Sequence, residues 1–272
     1  MKFQHAFLSL LLAGALAGCG QREEAPAADP AATPPAAETA TPAAGGEPQA
    51  EAPAAPAADG SAPAPEGEAQ AATPPPAPSA PQGPAPVEGT NYITIQNGQP
   101  FQPLDGKVEV VEVFGYTCPG CAAFEPTFRA WKARQPADVR VTALAAPFGG
   151  FWMPYARAFY TAESMGLVER THDKMFEAIH IQRSLPVQNA TDQQIAGFYA
   201  QHGADAAQFA STMQSFAVNA KLKRAEQFIA RSGVDSTPTL VVNGKYRVIG
   251  GRSYDDVLNT VEHLIARERT AN

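Results

Sequence analysis

The most regular apolar stretch of the chain is Val108-Glu109-Val110-Val111-Glu112-Val113-Phe114, bounded by Asp105-Gly106 before it and Gly115 after it. A β-branched run of that length predicts a buried strand. Helical spacing follows over 118–133, and a second strand fits 139–143. Roughly 75 residues of helical periodicity come next, divided into 155–165, 167–181, 191–202, 205–216 and 220–231. Thr191 and Gln194 have the spacing of a capping box, and Gly203 terminates the helix they begin. The chain returns to strand at Thr239-Leu240-Val241-Val242, turns at Asn243-Gly244 and continues over 246–249. Asn-Gly between two such runs is the strongest short-range hairpin signal. A last helix, about 254–267, puts Val257, Val261, Leu264 and Ile265 on one face. Strand, helix, strand, helical block, hairpin and closing helix predict an α/β domain over 88–272. Its sheet is mixed, and a helical subdomain is inserted at about 152–219.

The first 87 residues are patterned differently. Lys2 precedes an apolar run from Ala6 to Leu16, then Ala17, Gly18 and Cys19. Eleven such residues span roughly 16 Å as a helix, about half of a ~30 Å hydrocarbon core, so 1–18 reads as a signal peptide and not as a membrane span. From Ala25 to Val87, 41 of 63 residues are Ala or Pro, which is too little apolar surface to offset the entropy of ordering. The segment 19–87 is expected to be a disordered acidic linker, semi-rigid where prolines favour extended backbone. The seven acids of 25–87 (Asp29, Glu38, Glu47, Glu51, Asp59, Glu66, Glu68), which come with no Lys or Arg, equal the whole formal charge of -7. Residues 88–272 are balanced at 18 basic and 18 acidic side chains, so neither part offers a nucleic acid a basic face. Three cysteines, Cys19, Cys118 and Cys121, are too few to staple a fold.

Cys118-Pro119-Gly120-Cys121 stands where the first long strand gives way to a helix. Unpaired N–H groups and the positive end of the helix dipole favour a thiolate there. Cys118 is therefore the candidate nucleophile, with Pro119 suited to the first helical position. Cys121, one turn further in, is the candidate resolving thiol. Other uses of the pair compete with this one. A structural zinc site would need His172 and His180, which read better as ordinary, partly exposed helix residues. Covalent haem attachment needs His where Ala122 stands, and an inert disulfide would make an odd use of a helix start.

Cys118-Pro119-Gly120-Cys121 together with the segment from Gly233-Val234-Asp235-Ser236-Thr237-Pro238 to Asn243-Gly244-Lys245-Tyr246 resembles the DsbA-like thiol:disulfide oxidoreductases of the thioredoxin superfamily. The resemblance extends over about 92–267. It implies a thioredoxin-like fold, a cis bond before Pro238, and a substrate-binding role for Thr237 and Pro238. Glu112, six residues before Cys118, matches the family's acid that shuttles the proton of the resolving thiol. Strand alternation does not decide between Glu112 and Glu109, which have opposite parity, and at least one of them would be a surface residue on a one-faced strand. Leu16-Ala17-Gly18-Cys19 likewise resembles the lipobox of bacterial lipoproteins, implying lipidation of Cys19. Gly20 in place of Asp permits onward sorting to the outer membrane.

The resemblance implies an enzyme without cofactor or metal, a monomer anchored in the periplasm. It would act mainly as a dithiol oxidase on exported unfolded or thiol-containing proteins. Its redox partner would be a DsbB-like membrane quinone oxidoreductase, or a DsbD-like reductant if it works as a reductase, for example in cytochrome c maturation. A lipoprotein binding metal through its two thiolates is the alternative from another class. Two departures bear on direction. Gly120 stands where the family's strong oxidants carry His, and 141–146 contains no lysine to face Glu112. Pro147 to Met153, with Phe159 and Tyr160, are candidates for an apolar groove.

Overall fold

The computed structural model describes residues 81–271. The signal peptide, Cys19 and the linker up to residue 80 lie outside the described residues. Five strands form one mixed sheet in the order β1-β5-β4-β2-β3. They are β1 (Tyr92–Thr94), β2 (Val108–Phe114), β3 (Val139–Ala145), β4 (Thr239–Val242) and β5 (Tyr246–Val248). Only β2 and β3 run parallel; the pairs β2 and β4, β4 and β5, and β5 and β1 are antiparallel. This is the expected α/β architecture with a mixed sheet. The short β1 was not expected, because three residues are too few to show an alternating pattern.

All seven residues of β2 are buried. Val111 and Val113 belong to one core, under the helical block; Val108 and Val110 belong to another, with Phe124, Leu240 and Leu264. Burial of each valine contributes about 1.5–3 kcal/mol. Because both faces are covered, both acids are inside, at 0% exposure for Glu109 and 1% for Glu112. The expectation of one surface glutamate is corrected: a two-faced strand has no solvent side. Glu109 is fully satisfied, accepting from the N–H groups of Phe101 (2.7 Å) and Gln102 (3.1 Å) and from Arg140 (3.1 Å). It pins the segment before β2 to the sheet.

Helix α1 (Pro119–Lys132) starts at Cys118, which is extended at φ -85°, with Pro119 in the first turn and Arg129 and Lys132 at the negative end of the dipole. Pro126 sits inside it. Between β3 and β4 run α2 (Met153–Ser164), α3 (Val168–Phe176), α4 (Asp192–Ala200), α5 (Ala206–Met213) and α6 (Phe216–Ser232). The capping box on Thr191 is formed. Helix α6 starts four residues before the expected 220, since Ser215 caps it through the N–H of Val218; the expected boundary at about 219 thus falls inside its first turn. The helix expected over 167–181 passes from α3 into a π turn at Glu177–Ile181. Helix α7 (Tyr254–Ala271) closes the domain over the second core. Among the described residues no helix is long and apolar enough to cross a membrane.

Candidate active site

The junction of β2 and α1 builds the site. With Cys118 as the residue that caps α1, its Sγ accepts the N–H of Cys121 at 3.2 Å and lies 3.4 Å from the Thr237 carbonyl, to which it donates only while protonated. Both cysteines are present as buried thiols, Cys118 at 7% exposure and Cys121 at 1%. The Thr237–Pro238 bond is cis, and its loop lies against the first turn of α1. A hydrogen bond from the Cys121 thiol is the main cause that lowers Cys118 to about 5; the Thr237 side chain and the N–H groups of Cys121 and Gly120 add to it, against the opposing effect of burial. Burial pushes Cys121 the other way, well above the ordinary thiol range. At neutral pH one sulfur is thus a thiolate at the surface end of the pair and the other a protonated thiol behind it, the division of labour that thiol exchange needs.

Glu112 lies beneath the pair, opposite Ala143 on β3 and Leu240 on β4. Its Oε1 has no hydrogen-bond partner. Burial raises its carboxyl well above the ordinary range, the charges of Glu125 and Cys118 reinforce this, and Lys132 opposes it. A carboxyl held protonated near a thiol pair can both give and take a proton. The lysine missing from β3 thus has a counterpart in α1, one that a search along the neighbouring strand does not find.

Cys118, Cys121, Thr237, Pro238 and Glu112 are therefore brought together, and Cys19 lies outside the described residues. Four further residues of the site escape or mislead sequence reasoning. His172 and His180 are half-buried but not idle: His172 Nδ1 is 2.9 Å from the Tyr116 hydroxyl and His180 Nε2 is 2.7 Å from the Tyr116 carbonyl. Together they clamp the loop before Cys118. Glu125 is buried beside Glu112, one helical turn after Cys121, a spacing that could have flagged it. Tyr116 itself, two residues before Cys118, carries no signal beyond its place in the loop.

Two surfaces flank the sulfurs. A cleft of about 490 Å³ runs from Pro238 along Phe124, Arg247, Ile249 and Tyr254. On another side Phe148 and Phe151, each 39% exposed, pack on Trp152, whose ring covers Gly115. Phe159 and Tyr160 are core residues, so of the candidates for an apolar groove only those of the 148–153 turn reach the surface.

The DSBA-like thioredoxin domain family matches residues 153–262. The thiol:disulfide interchange protein DsbA of Pseudomonas aeruginosa is 40% identical over 186 residues, covering 67% of this chain and 86% of that protein. That of Azotobacter vinelandii is 36% identical over 186 residues, covering 67% and 85%. The crystal structure of the oxidoreductase DsbA from Xylella fastidiosa superposes with a TM-score of 0.67 at 44% identity, covering 68% of this chain and 98% of that one.

Proposed function

Because the chain belongs to the family of DsbA-like thioredoxin domains and is a thiol:disulfide oxidoreductase, we propose that it oxidises dithiols in exported proteins through Cys118 and Cys121. The observation that carries the oxidase direction is the seat of Cys118 at the N-terminus of α1, where its Sγ accepts the N–H of Cys121 at 3.2 Å, an arrangement that favours the thiolate of the reduced state. Stabilising the reduced form makes the disulfide form the stronger oxidant.

With the pair oxidised, a substrate thiolate attacks Cys118 Sγ and the bond to Cys121 breaks. The departing Cys121 thiolate takes the proton held by Glu112. A second thiolate of the substrate then attacks the substrate sulfur of the mixed disulfide. Cys118 leaves as thiolate, the substrate gains a disulfide, and the enzyme holds the two electrons. A membrane quinone oxidoreductase of DsbB type takes them back. During exchange the substrate backbone lies extended against Thr237 and Pro238, and its side chains enter the cleft that runs from Pro238 past Tyr254 to Arg247 and Ile249. The export-like pattern of 1–18 and Leu16-Ala17-Gly18-Cys19 support a periplasmic enzyme, lipidated at Cys19 and tethered by 19–87.

The reduction potential of the pair, measured at equilibrium with glutathione, tests the direction. A value well above thioredoxin's ~-270 mV agrees with an oxidase, and one at or below it overturns that reading in favour of a reductase. In Cys121→Ala a trapped mixed disulfide should form at Cys118. Trapping at Cys19 would contradict both the catalytic and the lipid assignments.

A further inference from the structure

Behind the redox pair, Glu112, Glu125 and His172 share a cleft of about 90 Å³, large enough to admit water, with the exposed Lys132 at its edge. Glu125 is 8% exposed and its Oε2 accepts no hydrogen bond, yet His172 Nε2 stands 3.5 Å from that oxygen. The other ring nitrogen meets Tyr116, and the imidazole is walled by the rings of Phe114 (5.0 Å between centroids) and Phe176 (5.3 Å). Aromatic walls and a hydroxyl that can either donate or accept hold the ring in place whether it carries one proton or two.

We propose that His172 is a positioning residue of the redox centre, which sets the charge felt at Glu125 and through it the readiness of Glu112 to exchange a proton with Cys121. The inference rests on the reading of Glu112 as the proton shuttle. When His172 is protonated its charge offsets that of Glu125, and Glu112 ionises more easily. When His172 is neutral, the charge of Glu125 stands uncompensated and favours protonated Glu112. Of the other charged groups near the ring, Arg129 and Asp173 pair with each other, Lys132 from α1 stands at the cleft edge and Glu169 on α3 is exposed. His180 on the π turn holds the carbonyl of the same Tyr116, so His180→Gln is measured beside the other variants and should keep the wild-type profile. Tyr116 and Tyr199, from the loop and from α4, are both raised by burial and stay neutral.

The test is the pH profile, from pH 5 to 8, of the rate at which a dithiol peptide reduces the oxidised full-length protein. It is run on wild type, His172→Gln, Glu125→Gln, Glu112→Gln and the double variant His172→Gln/Glu112→Gln. The wild-type profile should show, besides the titration of the peptide's own thiols, a second inflection within that range. His172→Gln and Glu125→Gln should each remove it and change the rate roughly threefold to tenfold at one end of the range, because each alters the charge beside Glu112. In the Glu112→Gln background, His172→Gln should change nothing further. An inflection that survives His172→Gln while Glu112→Gln removes it overturns the role of His172 alone. A Glu112→Gln profile equal to wild type overturns the shuttle reading and this inference with it. Should His172→Gln fold poorly, Glu125→Gln, which keeps the histidine, decides the matter in its place: loss of the inflection supports the proposal and its survival overturns it.

Discussion

Cys118 Sγ and the carbonyl oxygen of Thr237, 119 positions apart in the chain, lie 3.4 Å from each other. The nucleophile is thus seated against the backbone that a substrate has to approach, and the Thr237 side chain is among the groups that hold the thiolate. Thr237→Val keeps the shape and removes the hydroxyl. Since a hydrogen bond to a charged group contributes about 1.5–3 kcal/mol, the thiolate of Cys118 should form roughly one to two pH units higher. Titration of the ultraviolet thiolate absorbance reads this directly, and an unmoved curve would remove Thr237 from the site's electrostatics.

Gly120 faces the same sulfur. A Cβ at this position would lie 3.7 Å from Cys118 Sγ and 3.5 Å from Pro238 Cδ, ordinary contact distances, so a larger residue fits. Gly120→His would place a partly protonated ring near the thiolate. The expected outcome is a more acidic Cys118 and a pair more oxidising by about 30 mV for each pH unit gained. A variant with an unchanged or lower potential would show that residue 120 does not set the oxidant strength.

The redox states should differ in how stability follows pH. Cys118 in the folded dithiol form titrates at about 5, below its ordinary 9.0, so its stabilising effect is complete above that ordinary value and lost as pH falls through 5. The disulfide form has no such group. Cys121, shifted upward, stays protonated in folded and unfolded chains over this window, and Glu112 is present in both redox states. The melting temperature of the reduced protein relative to the oxidised one should therefore climb from pH 5 to 8. A constant difference would mean that Cys118 is not a thiolate in the fold.

Gly115 is required by a close approach and not by its backbone angles. A Cβ there would fall 2.0 Å from the Trp152 ring. Gly115→Ala should cost about 1–3 kcal/mol in urea unfolding, because Trp152 has to move and the Phe148 and Phe151 rings packed on it move too. Exchange with an unfolded substrate protein should slow more than exchange with glutathione if the 148–152 turn contacts the substrate. Equal slowing would assign that turn a packing role only.

Much of the site could be read from local signals. A strand ending in Gly115, a Pro at the first helical position and an Asn-Gly hairpin each have a mechanism confined to a few residues, and β2, α1 and β4–β5 formed where those signals stood. What escaped depended on neighbours remote in sequence. Alternation could not place Glu109 and Glu112, since it presumes one wet face and β2 has none. Lys132 approaches Glu112 from α1 and not from the adjacent strand. His172 and His180 acquire their roles only when α3 and its π turn dock on Tyr116, 56 and 64 positions away. The spacing of residues along one helix contains no trace of that.

Pro126 has no N–H to offer, so the Ala122 carbonyl, in the turn that holds both thiols, lacks its usual partner within α1. That turn is joined to the rest of the helix by one bond fewer, while Phe128 and Trp131 stay locked in the core further along. A change in sulfur spacing between dithiol and disulfide therefore meets less resistance in that first turn than a regular helix would offer.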